Sequence, residues 1–442
     1  MGIILVNLAA SSHALAAGQT MPQISDLVRQ ELLLPGSTYT NTADSQIYYS
    51  TLAGDGGVVV CGSFKGTKTF GKSKIVSHKV AHANPQYWYK DLDVFVAKAD
   101  LSGKWAWAAR VSATGGASCR TISMRPDGSY RVRINYEGTA AAASKTLAGS
   151  GAGDFFVSKS GKPLALATAE PEPKDMTGKT NAYSYSPLEA SPAFVGFQTS
   201  SWTTTWNIQG SQTEVDLNDS HGGLLGKKVG STWAWVEATP GDTEIMPDFQ
   251  SVPTADGGVV VALSRYAGSS LAYAGFNATT GLNSLAKFDS KGQPVWGFEI
   301  PEREISAYAE LPNNQFIVSQ GIEGFFEVSD FKLQVYSQNG KANQTLKLSN
   351  LVFPPRHIFV VSQNRIWLQT NNSVILLKPK NTKSTIFKNC VSVNAKYVGG
   401  IASSSKAKNK GKLTHYKPFV SATIYSLNKE LDADHDQIIC ER

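Results

Sequence analysis

Short apolar segments separated by turn-forming residues extend along residues 44–379. Asp55-Gly56 precedes three valines at 58–60, and Asp256-Gly257 precedes three valines at 259–261. These dipeptides tolerate the positive φ that tight hairpin turns require. Three consecutive β-branched residues indicate a strand that is buried on both faces, as in sheets packed face to face. The pattern predicts β-hairpins, with further turns at 127–128, 313–314 and 363–364.

A second kind of hairpin alternates with the first. An apolar strand ending in Lys98 is followed by a turn at Gly103 and an aromatic strand with Trp105 and Trp107. Copies of this hairpin begin near residues 93, 153, 222, 282, 331 and 373. Their spacing of about 40–70 residues is in the range of propeller blades. Four short strands per repeat predict an all-β fold, a six-bladed β-propeller over residues 21–379, with a seventh divergent blade or two β-sandwiches as alternatives.

The two ends of this repeat region complement each other. The sixth copy stops after Lys378 without its last strand, and residues 27–34 form a surplus strand before the first hairpin. We therefore expect the N-terminal strand to complete the final blade, which would remove an open sheet edge.

Composition and charge narrow the class of protein. Of 442 residues, 41% are hydrophobic and 17% are charged, which excludes a mainly disordered chain. The net charge of +7 is concentrated in residues 380–442, which hold 11 Lys/Arg against 5 Asp/Glu and leave 31 against 30 before them. No arginine-rich stripe interleaved with aromatics occurs, so we expect no nucleic-acid partner but an attraction of this basic end to the cell envelope. No apolar run approaches the roughly 18–20 residues of a transmembrane segment.

The first residues indicate export. An apolar run at residues 3–9 leads to Ala14 and Ala16, small residues at the positions that a signal-peptidase site requires, so we predict a signal peptide over residues 1–16. A buried N-terminal strand is the alternative. Export places the protein outside the cytoplasm, secreted or in the cell envelope, where cysteines are mostly paired. Cys61 and Cys119 fall in neighbouring predicted blades, where they form either a disulfide or two buried free thiols.

Three long loops join second to third strands, at residues 65–92, 201–221 and 265–281. Loops of this kind share one face of a propeller, and exposed aromatic side chains stack on sugar rings or pack on peptides. We therefore expect a ligand-binding face there, although the same aromatics could instead pack within their own loops. The aromatic residues are Tyr87, Trp88, Tyr89, Trp202, Trp206, Tyr266 and Tyr273.

Motifs for catalysis are absent from the sequence. His78 and His82 lie four residues apart but lack the glutamate of an H-E-x-x-H site. There is no G-x-S-x-G elbow, so no catalytic residue is predicted.

One part of the repeat region resembles a known family. Residues 57–64, followed by residues 93–98 and 105–108, are similar to the bacterial SBBP β-propeller repeat, a G-x-V-Y-V-x-G-S-F strand followed by D-x-F-V-A-K and a Trp strand. The resemblance implies a propeller fold and export, and it implies no particular reaction.

The C-terminal residues contain a D-x-D-x-D run between two cysteines. Asp432, Asp434 and Asp436 alternate in a short loop, an arrangement that directs successive carboxylates at one point, as in EF-hand loops. A solvated acidic turn is the alternative. EF-hand spacing predicts Ca²⁺ ligands at these three carboxylates and at the carbonyl of Ile438. The carboxylate of Glu441, at position ten instead of twelve, is expected to complete the shell.

Residues 386–442 resemble the excalibur domain, an extracellular calcium-binding region of bacterial surface proteins. The matching residues include 387–390, Gly399-Gly400, Lys417-Pro418, Tyr425, Asn428, and 431–441. The resemblance implies a calcium site and a disulfide between Cys390 and Cys440. Gln437 stands where the family has Gly, so we expect weak calcium binding.

Together these features predict an exported, non-enzymatic binding or scaffold protein. Its propeller would recognise an extracellular glycan, peptidoglycan or protein, and its C-terminal module would bind calcium and associate with the envelope. The alternative is a propeller-class glycan lyase or hydrolase acting at the central channel.

Overall fold

A computed structural model describes most of the repeat region and of the C-terminal residues. The described residues are 24, 27–36, 44–78, 92–169, 182–187, 194–199, 203–208, 211–216, 222–229, 232–238, 243–245, 252–254, 256–265, 271–273, 276–278, 283–300, 304–311, 314–321, 331–349, 351, 353–362, 364–379, 386–404, 407–410 and 416–441. The predicted signal peptide, residues 1–16, lies outside them.

The chain divides into two compact units, residues 1–378 and 379–442. Both are described below in turn. None of the helices in the described ranges combines the length and apolar composition needed to span a bilayer.

The first unit consists of strands joined by short turns. The strands of its first half are β1 Leu27–Leu33, β2 Ser45–Leu52, β3 Val58–Phe64, β4 Thr67–Phe70, β5 Ser73–Val76, β6 Asp93–Ala99, β7 Trp105–Ala113, β8 Ala117–Met124, β9 Tyr130–Tyr136, β10 Ala140–Ala142, β11 Lys145–Leu147, β12 Gly151–Val157, β13 Pro163–Thr168, β14 Ala182–Pro187, β15 Phe194–Thr199, β16 Thr203–Ile208, β17 Ser211–Asp216, β18 Gly222–Val229 and β19 Thr232–Ala238. Those of its second half are β20 Thr243–Ile245, β21 Val252–Pro253, β22 Val259–Arg265, β23 Leu271–Tyr273, β24 Phe276–Ala278, β25 Asn283–Phe288, β26 Pro294–Ile300, β27 Glu304–Leu311, β28 Gln315–Gly321, β29 Phe331–Tyr336, β30 Ala342–Leu348, β31 His357–Ser362, β32 Arg365–Gln369 and β33 Ser373–Pro379.

These strands form six sheets of at least four strands each within the described residues. We number them along the chain. Sheet 1 has the order β11-β10-β7-β6-β3-β2, sheet 2 is β13-β12-β9-β8, and sheet 3 is β14-β15-β18-β19. Sheet 4 is β20-β22-β25-β26, with β21 also paired to β22, and sheet 5 is β27-β28-β29-β30. Sheet 6 is β1-β33-β32-β31, so the N-terminal strand lies beside the last strand of the unit.

Turn chemistry explains where the hairpins reverse. Gly56, Gly128 and Gly257 have φ values of 81°, 79° and 80°, in the left-handed region that glycine adopts without a Cβ clash. The strands after two of these turns are buried, as their valines predict. All seven residues of β3 are buried, and the valines at 259–261 are at most 1% exposed. The predicted burial of both strand faces is confirmed.

The N-terminal strand is held in sheet 6 by hydrogen bonds and by core packing. The Leu34 amide donates to the Asn372 carbonyl over 2.8 Å, and the Lys378 ammonium donates to the Gln30 side-chain oxygen. Leu32 and Leu34 are buried in a cluster that also contains Trp367 of β32 and residues of sheet 1. β1 is therefore an integral strand of this sheet.

Aromatic residues connect successive sheets. The Trp107 indole N–H of sheet 1 donates to the Lys159 carbonyl in a turn of sheet 2 over 3.1 Å. The Trp235 indole of sheet 3 makes the equivalent bond to the Ser290 carbonyl of sheet 4 over 2.9 Å. A disulfide between Cys61 of β3 and Cys119 of β8 also joins sheets 1 and 2, with the Cα atoms 6.1 Å apart. This bridge confirms the first of the two cysteine alternatives.

The second unit is small and mixed. Its elements are helix α1 Cys390–Asn394, strands β34 Ile401–Ala402 and β35 Phe419–Val420, helix α2 Ala422–Ser426, a 3₁₀ helix at Lys429–Leu431, and strand β36 Ile438–Ile439. The three strands form one sheet in the order β35-β34-β36. Val393, Ile401 and Ile439 form its core.

Candidate metal centre and ligand-binding loops

The C-terminal acidic loop is anchored at its end by a disulfide. Helix α1 begins after Asn389, whose side chain accepts the Ser392 amide in a capping box. Cys390, at the first turn of this helix, is bonded to Cys440, with the Cα atoms 5.1 Å apart. The predicted disulfide is confirmed, and it holds the end of β36 against α1.

The three aspartates predicted as ligands lie together. Oxygen atoms of Asp432, Asp434 and Asp436 lie within 4.8 Å of one another. Asp432 is 2% exposed and Asp436 is 5% exposed, whereas Asp434 faces solvent. Two buried carboxylates and one exposed carboxylate therefore converge at one edge of the unit.

Hydrogen bonds fix the orientation of Asp432. Its Oδ2 accepts the Tyr425 hydroxyl and, over 2.9 Å, the Gln437 amide, and its Oδ1 accepts the Asp436 amide over 3.2 Å. Burial alone would raise the pKa of Asp432, but these hydrogen bonds to the charged form outweigh it and lower the pKa. Asp432 is thus held as a carboxylate. Burial and the bond to Asp432 raise the pKa of the Tyr425 hydroxyl, which therefore keeps its proton.

Asp436 is fixed from two sides. Its Oδ1 accepts the Ile438 amide and its Oδ2 accepts the Lys410 amide, each over 2.8 Å. The Lys410 ammonium also donates to the His435 carbonyl over 3.3 Å. The sequence analysis did not identify Lys410, because only the fold brings residues 407–410 against the acidic loop.

The remaining predicted ligands lie at the edge of this cluster. Glu441 is half-buried and does not belong to the group of three whose oxygens lie within 4.8 Å. Burial and the negative charges of Asp436, Asp434 and Asp432 raise the pKa of Glu441, so the cluster disfavours the charged form of its carboxyl group. Ile438 is buried in β36, paired with Ala402.

Gln437 takes the conformation for which glycine is favoured. Its φ is 72°, and His435, two residues earlier, has a φ of 54°. The Gln437 carbonyl accepts the Ser403 amide over 2.8 Å and its side-chain oxygen accepts the Ser403 hydroxyl over 3.0 Å. These bonds to Ser403 offset the cost of a left-handed non-glycine residue, which is about 1–2 kcal/mol.

The donor set suits a hard cation. Carboxylate oxygens are the ligands that Ca²⁺ prefers, and each carboxylate oxygen has two acceptor sites. The amide hydrogen bonds to Asp432 and Asp436 therefore orient these side chains without using all of their lone pairs. The residues present fit a calcium ion.

The three long loops of the first unit contain hairpins. β4–β5, β16–β17 and β23–β24 each form a separate two-stranded sheet within one of these loops. Trp206 lies on β16 opposite Thr213, and Tyr273 lies on β23 opposite Phe276. Tyr87, Trp88, Tyr89, Trp202 and Tyr266 lie outside the described residues, as does His82.

Phe70 is a buried aromatic residue of the first of these loops. Phe70 of β4 is 1% exposed and packs on sheet 1, stacked on Phe95 at 5.4 Å and edge-on to Trp105 at 5.1 Å between ring centroids. At this position, the aromatic residue packs within the repeat region.

Comparison with known proteins gives one clear relative. No protein-family model matches the chain. Over 61 residues, 14% of this chain and 68% of the relative, it is 52% identical to the uncharacterized protein YhjA of Bacillus subtilis (strain 168). The chain belongs to the YhjA family. Because YhjA is itself uncharacterized, this membership assigns no activity.

Among solved structures, similarity extends to proteins described as propellers and related folds. The Dos1 propeller has a TM-score of 0.35 and 9% identity, covering 79% of this chain and 96% of that one. The Hadza microbial sialidase Hz136 has a TM-score of 0.39 and 8% identity, covering 76% and 66%. The WD40 domain of Toxoplasma gondii coronin has a TM-score of 0.33 and 11% identity, covering 83% and 90%.

Proposed function

We propose that the first unit is a six-bladed β-propeller closed by β1, and that it serves as an extracytoplasmic binding scaffold. The observation that carries the proposal is the cyclic order of contacts between the six sheets. Each sheet would be one blade, and β1 would be the fourth strand of the last.

Described contacts join five of the six pairs of sheets that are neighbours in this order. Sheets 1 and 2 share the Cys61–Cys119 disulfide, and sheets 3 and 4 share the Lys227 ammonium bond to the Gly257 carbonyl over 2.6 Å. One apolar cluster spans sheets 4 and 5, and another spans sheets 5 and 6. The Trp367 indole of sheet 6 donates to the Gly56 carbonyl of sheet 1 over 3.0 Å, which returns to the starting sheet.

A buried histidine lies on β31 of sheet 6. His357 of β31 is 4% exposed, and its Nδ1 lies 3.1 Å from the Ser50 hydroxyl and within hydrogen-bond distance of the Gln369 side-chain oxygen. Because the sequence contains no recognisable catalytic motif, the leading proposal is binding of an extracellular glycan, peptidoglycan or protein rather than catalysis. The two disulfides are compatible with an extracytoplasmic location.

Array screening of the whole protein tests which ligand it binds. Purified protein is screened on glycan and peptidoglycan arrays with a parallel assay for released sugars. Binding without release supports the scaffold, whereas release of fragments identifies a lyase or hydrolase. Substitution of Trp206 and Tyr273 by alanine should abolish array binding if the loop hairpins form the ligand face.

The second unit is proposed to bind one calcium ion. Asp432, Asp434 and Asp436 would supply side-chain oxygens, with the Ile438 carbonyl and Glu441 completing the shell. Since Gln437 takes the place of glycine, we expect a dissociation constant on the order of 10⁻⁴–10⁻³ M, typical of extracellular modules.

Calorimetry of the full-length protein tests the calcium site. We expect one site in the wild type and none in Asp432→Asn/Asp434→Asn. Asp127→Asn, which alters an exposed turn aspartate in the other unit, is the matched control and should bind as the wild type does. Absence of calcium heat and of a thermal shift at several millimolar calcium would refute the site.

A further inference from the structure

Exposed apolar side chains are concentrated in the second unit. Of nine large apolar residues that are exposed in the described ranges, five belong to this unit. Scattered single apolar residues are normal on a protein surface, but a contiguous group marks an interaction site.

Four of the five form one patch, which we call the aromatic patch. Phe419 and Val420 are consecutive exposed residues of β35, an edge strand of the small sheet. The Phe419 ring stacks on Tyr397 with the centroids 4.8 Å apart, next to exposed Val398. A Cβ on Gly399 would lie 2.8 Å from the Tyr416 carbonyl, so the backbone at Tyr416 runs beside Gly399, the residue after Val398. The aromatic patch therefore consists of Val398, Tyr416, Phe419 and Val420.

The part of the chain that carries the patch is basic in sequence. Residues 386–429 contain eight lysines and no aspartate or glutamate, because every acidic residue of this unit lies at 430–441. Lys417 is exposed within the patch, and the Lys396 ammonium lies 5.3 Å from the centroid of the Tyr397 ring. Two lysines, Lys396 and Lys417, thus lie next to exposed aromatic and aliphatic groups.

We propose that the aromatic patch docks the second unit onto the surface of an anionic lipid bilayer. Aromatic and aliphatic side chains gain by entering the boundary between headgroups and acyl chains, and neighbouring lysines gain by contact with anionic headgroups. A purely charged polymer would use the lysines but would leave Phe419 and Val420 in water. The proposal rests on the extracytoplasmic location proposed above and names the partner of the envelope-associated unit.

Vesicle co-sedimentation of the full-length protein tests this docking. The wild type should bind vesicles of phosphatidylglycerol and phosphatidylcholine, bind phosphatidylcholine alone weakly, and lose affinity as salt is raised. Phe419→Ser/Val420→Ser should bind at least about tenfold more weakly, because two apolar contacts are lost. The matched control, Leu164→Ser/Val295→Ser, removes two exposed apolar residues of the other unit and should bind as the wild type does.

Charge reversal gives an independent variant that keeps Phe419 and Val420 of β35. Lys396→Glu/Lys417→Glu should lose binding to the anionic vesicles, whereas Lys291→Glu/Lys341→Glu, at exposed turns of the first unit, should retain it. Equal binding to neutral vesicles, or unchanged affinity of Phe419→Ser/Val420→Ser with unaltered thermal stability, would overturn the proposal. Stronger binding to soluble teichoic acid, unaffected by that substitution, would replace the bilayer with a wall polymer.

The assay also separates this proposal from the calcium site. It is run in EDTA and in millimolar calcium, and the aromatic patch is expected to bind vesicles in both. A protein that binds vesicles but gives no calcium heat would refute the calcium site alone. Calcium heat without vesicle binding would refute the docking alone.

Discussion

Aspartates at the Asp-Gly turns bind lysines on the adjoining strand. The Lys98 ammonium lies 2.5 Å from Asp55 Oδ2, and the Lys287 ammonium lies 2.6 Å from Asp256 Oδ2. Burial opposes the charged form of Asp256, but hydrogen bonds from Lys287, Thr254 and the Gly258 amide lower its pKa to about 2. The Asp of one hairpin type and the Lys of the other are therefore partners, a relation that sequence spacing alone did not reveal.

The lowered pKa of Asp256 predicts an acid-dependent contribution to stability. Because the folded pKa is below the unfolded value, the contribution is complete above about pH 4 and is lost as the pH falls through about 2. Asp256→Asn should lower the free energy of unfolding at pH 7 by less than about 1 kcal/mol, since this aspartate is half-exposed and screened by solvent. Urea denaturation at pH 7 and pH 2 measures the difference, which should shrink at pH 2. Lys287→Met should show the same loss at pH 7, and an equal Asp256→Asn effect at both pH values would contradict the ion pair.

At the scale of elements, aromatic residues of one sheet pack on turn glycines of the next. Gly161 has a φ of 86°, and a Cβ there would lie 2.6 Å from the Trp107 ring. Gly340 has a φ of 75°, and a Cβ there would lie 2.7 Å from Phe298. Gln30 of β1 occupies the equivalent place against Gly103 and donates to its carbonyl over 2.8 Å. β1 thus contacts a turn glycine of sheet 1, as β7 contacts one of sheet 2 and β26 contacts one of sheet 5.

Gly161→Ala should destabilise the first unit by about 2 kcal/mol or more, because left-handed strain adds to overlap with Trp107. Gly128→Ala is the matched control, since Gly128 has a φ of 79° but no atom within 4 Å of the added Cβ. It should lose only the backbone cost of about 1–2 kcal/mol. Chemical denaturation compares the two variants, and equal losses would show that the contact between the sheets contributes nothing.

The disulfide of the second unit closes a 50-residue separation. In the chain-entropy model such a loop stabilises by about 4 kcal/mol. Cys390→Ala/Cys440→Ala should therefore unfold the second unit well before the first in a thermal scan, because a small unit has little stability to lose. The converse variant, Cys61→Ala/Cys119→Ala, should leave the second unit unchanged. Alkylation of all four thiols in unreduced protein would contradict both bridges.

Across the whole molecule, local chemistry was predictable and remote contacts were not. Turn dipeptides and apolar runs predicted the strands that begin at Asp93, Gly222 and Phe331, because the signal lies in adjacent residues. The hairpin β10–β11, which widens sheet 1, was missed because its two strands are only three residues long and contain one β-branched residue. The hairpins inside the three long loops were missed because those segments were assigned to loops as a whole. At the candidate metal centre the aspartates were evident in sequence, whereas Lys410 was not.

Deleting residues 21–35 should destabilise the first unit as a whole. The deletion removes β1, exposes the edge of β33, and leaves the cluster that contains Trp367 without Leu32 and Leu34. We expect a single cooperative transition at lower temperature, measured by calorimetry. Deleting residues 1–16, the predicted signal peptide, is the control and should not change the transition. An unchanged transition after removal of β1 would rule out closure by this strand.

The position of β1 beside β33 also sets an order of events during synthesis. Gln30 and Lys378, which are bonded across these two strands, are 348 residues apart. At translation rates of about 5–20 residues per second, β1 waits roughly 20–70 s for its partner strand. During that interval Leu32 and Leu34 lack Trp367 and the other late residues of their cluster, and sheet 6 remains incomplete.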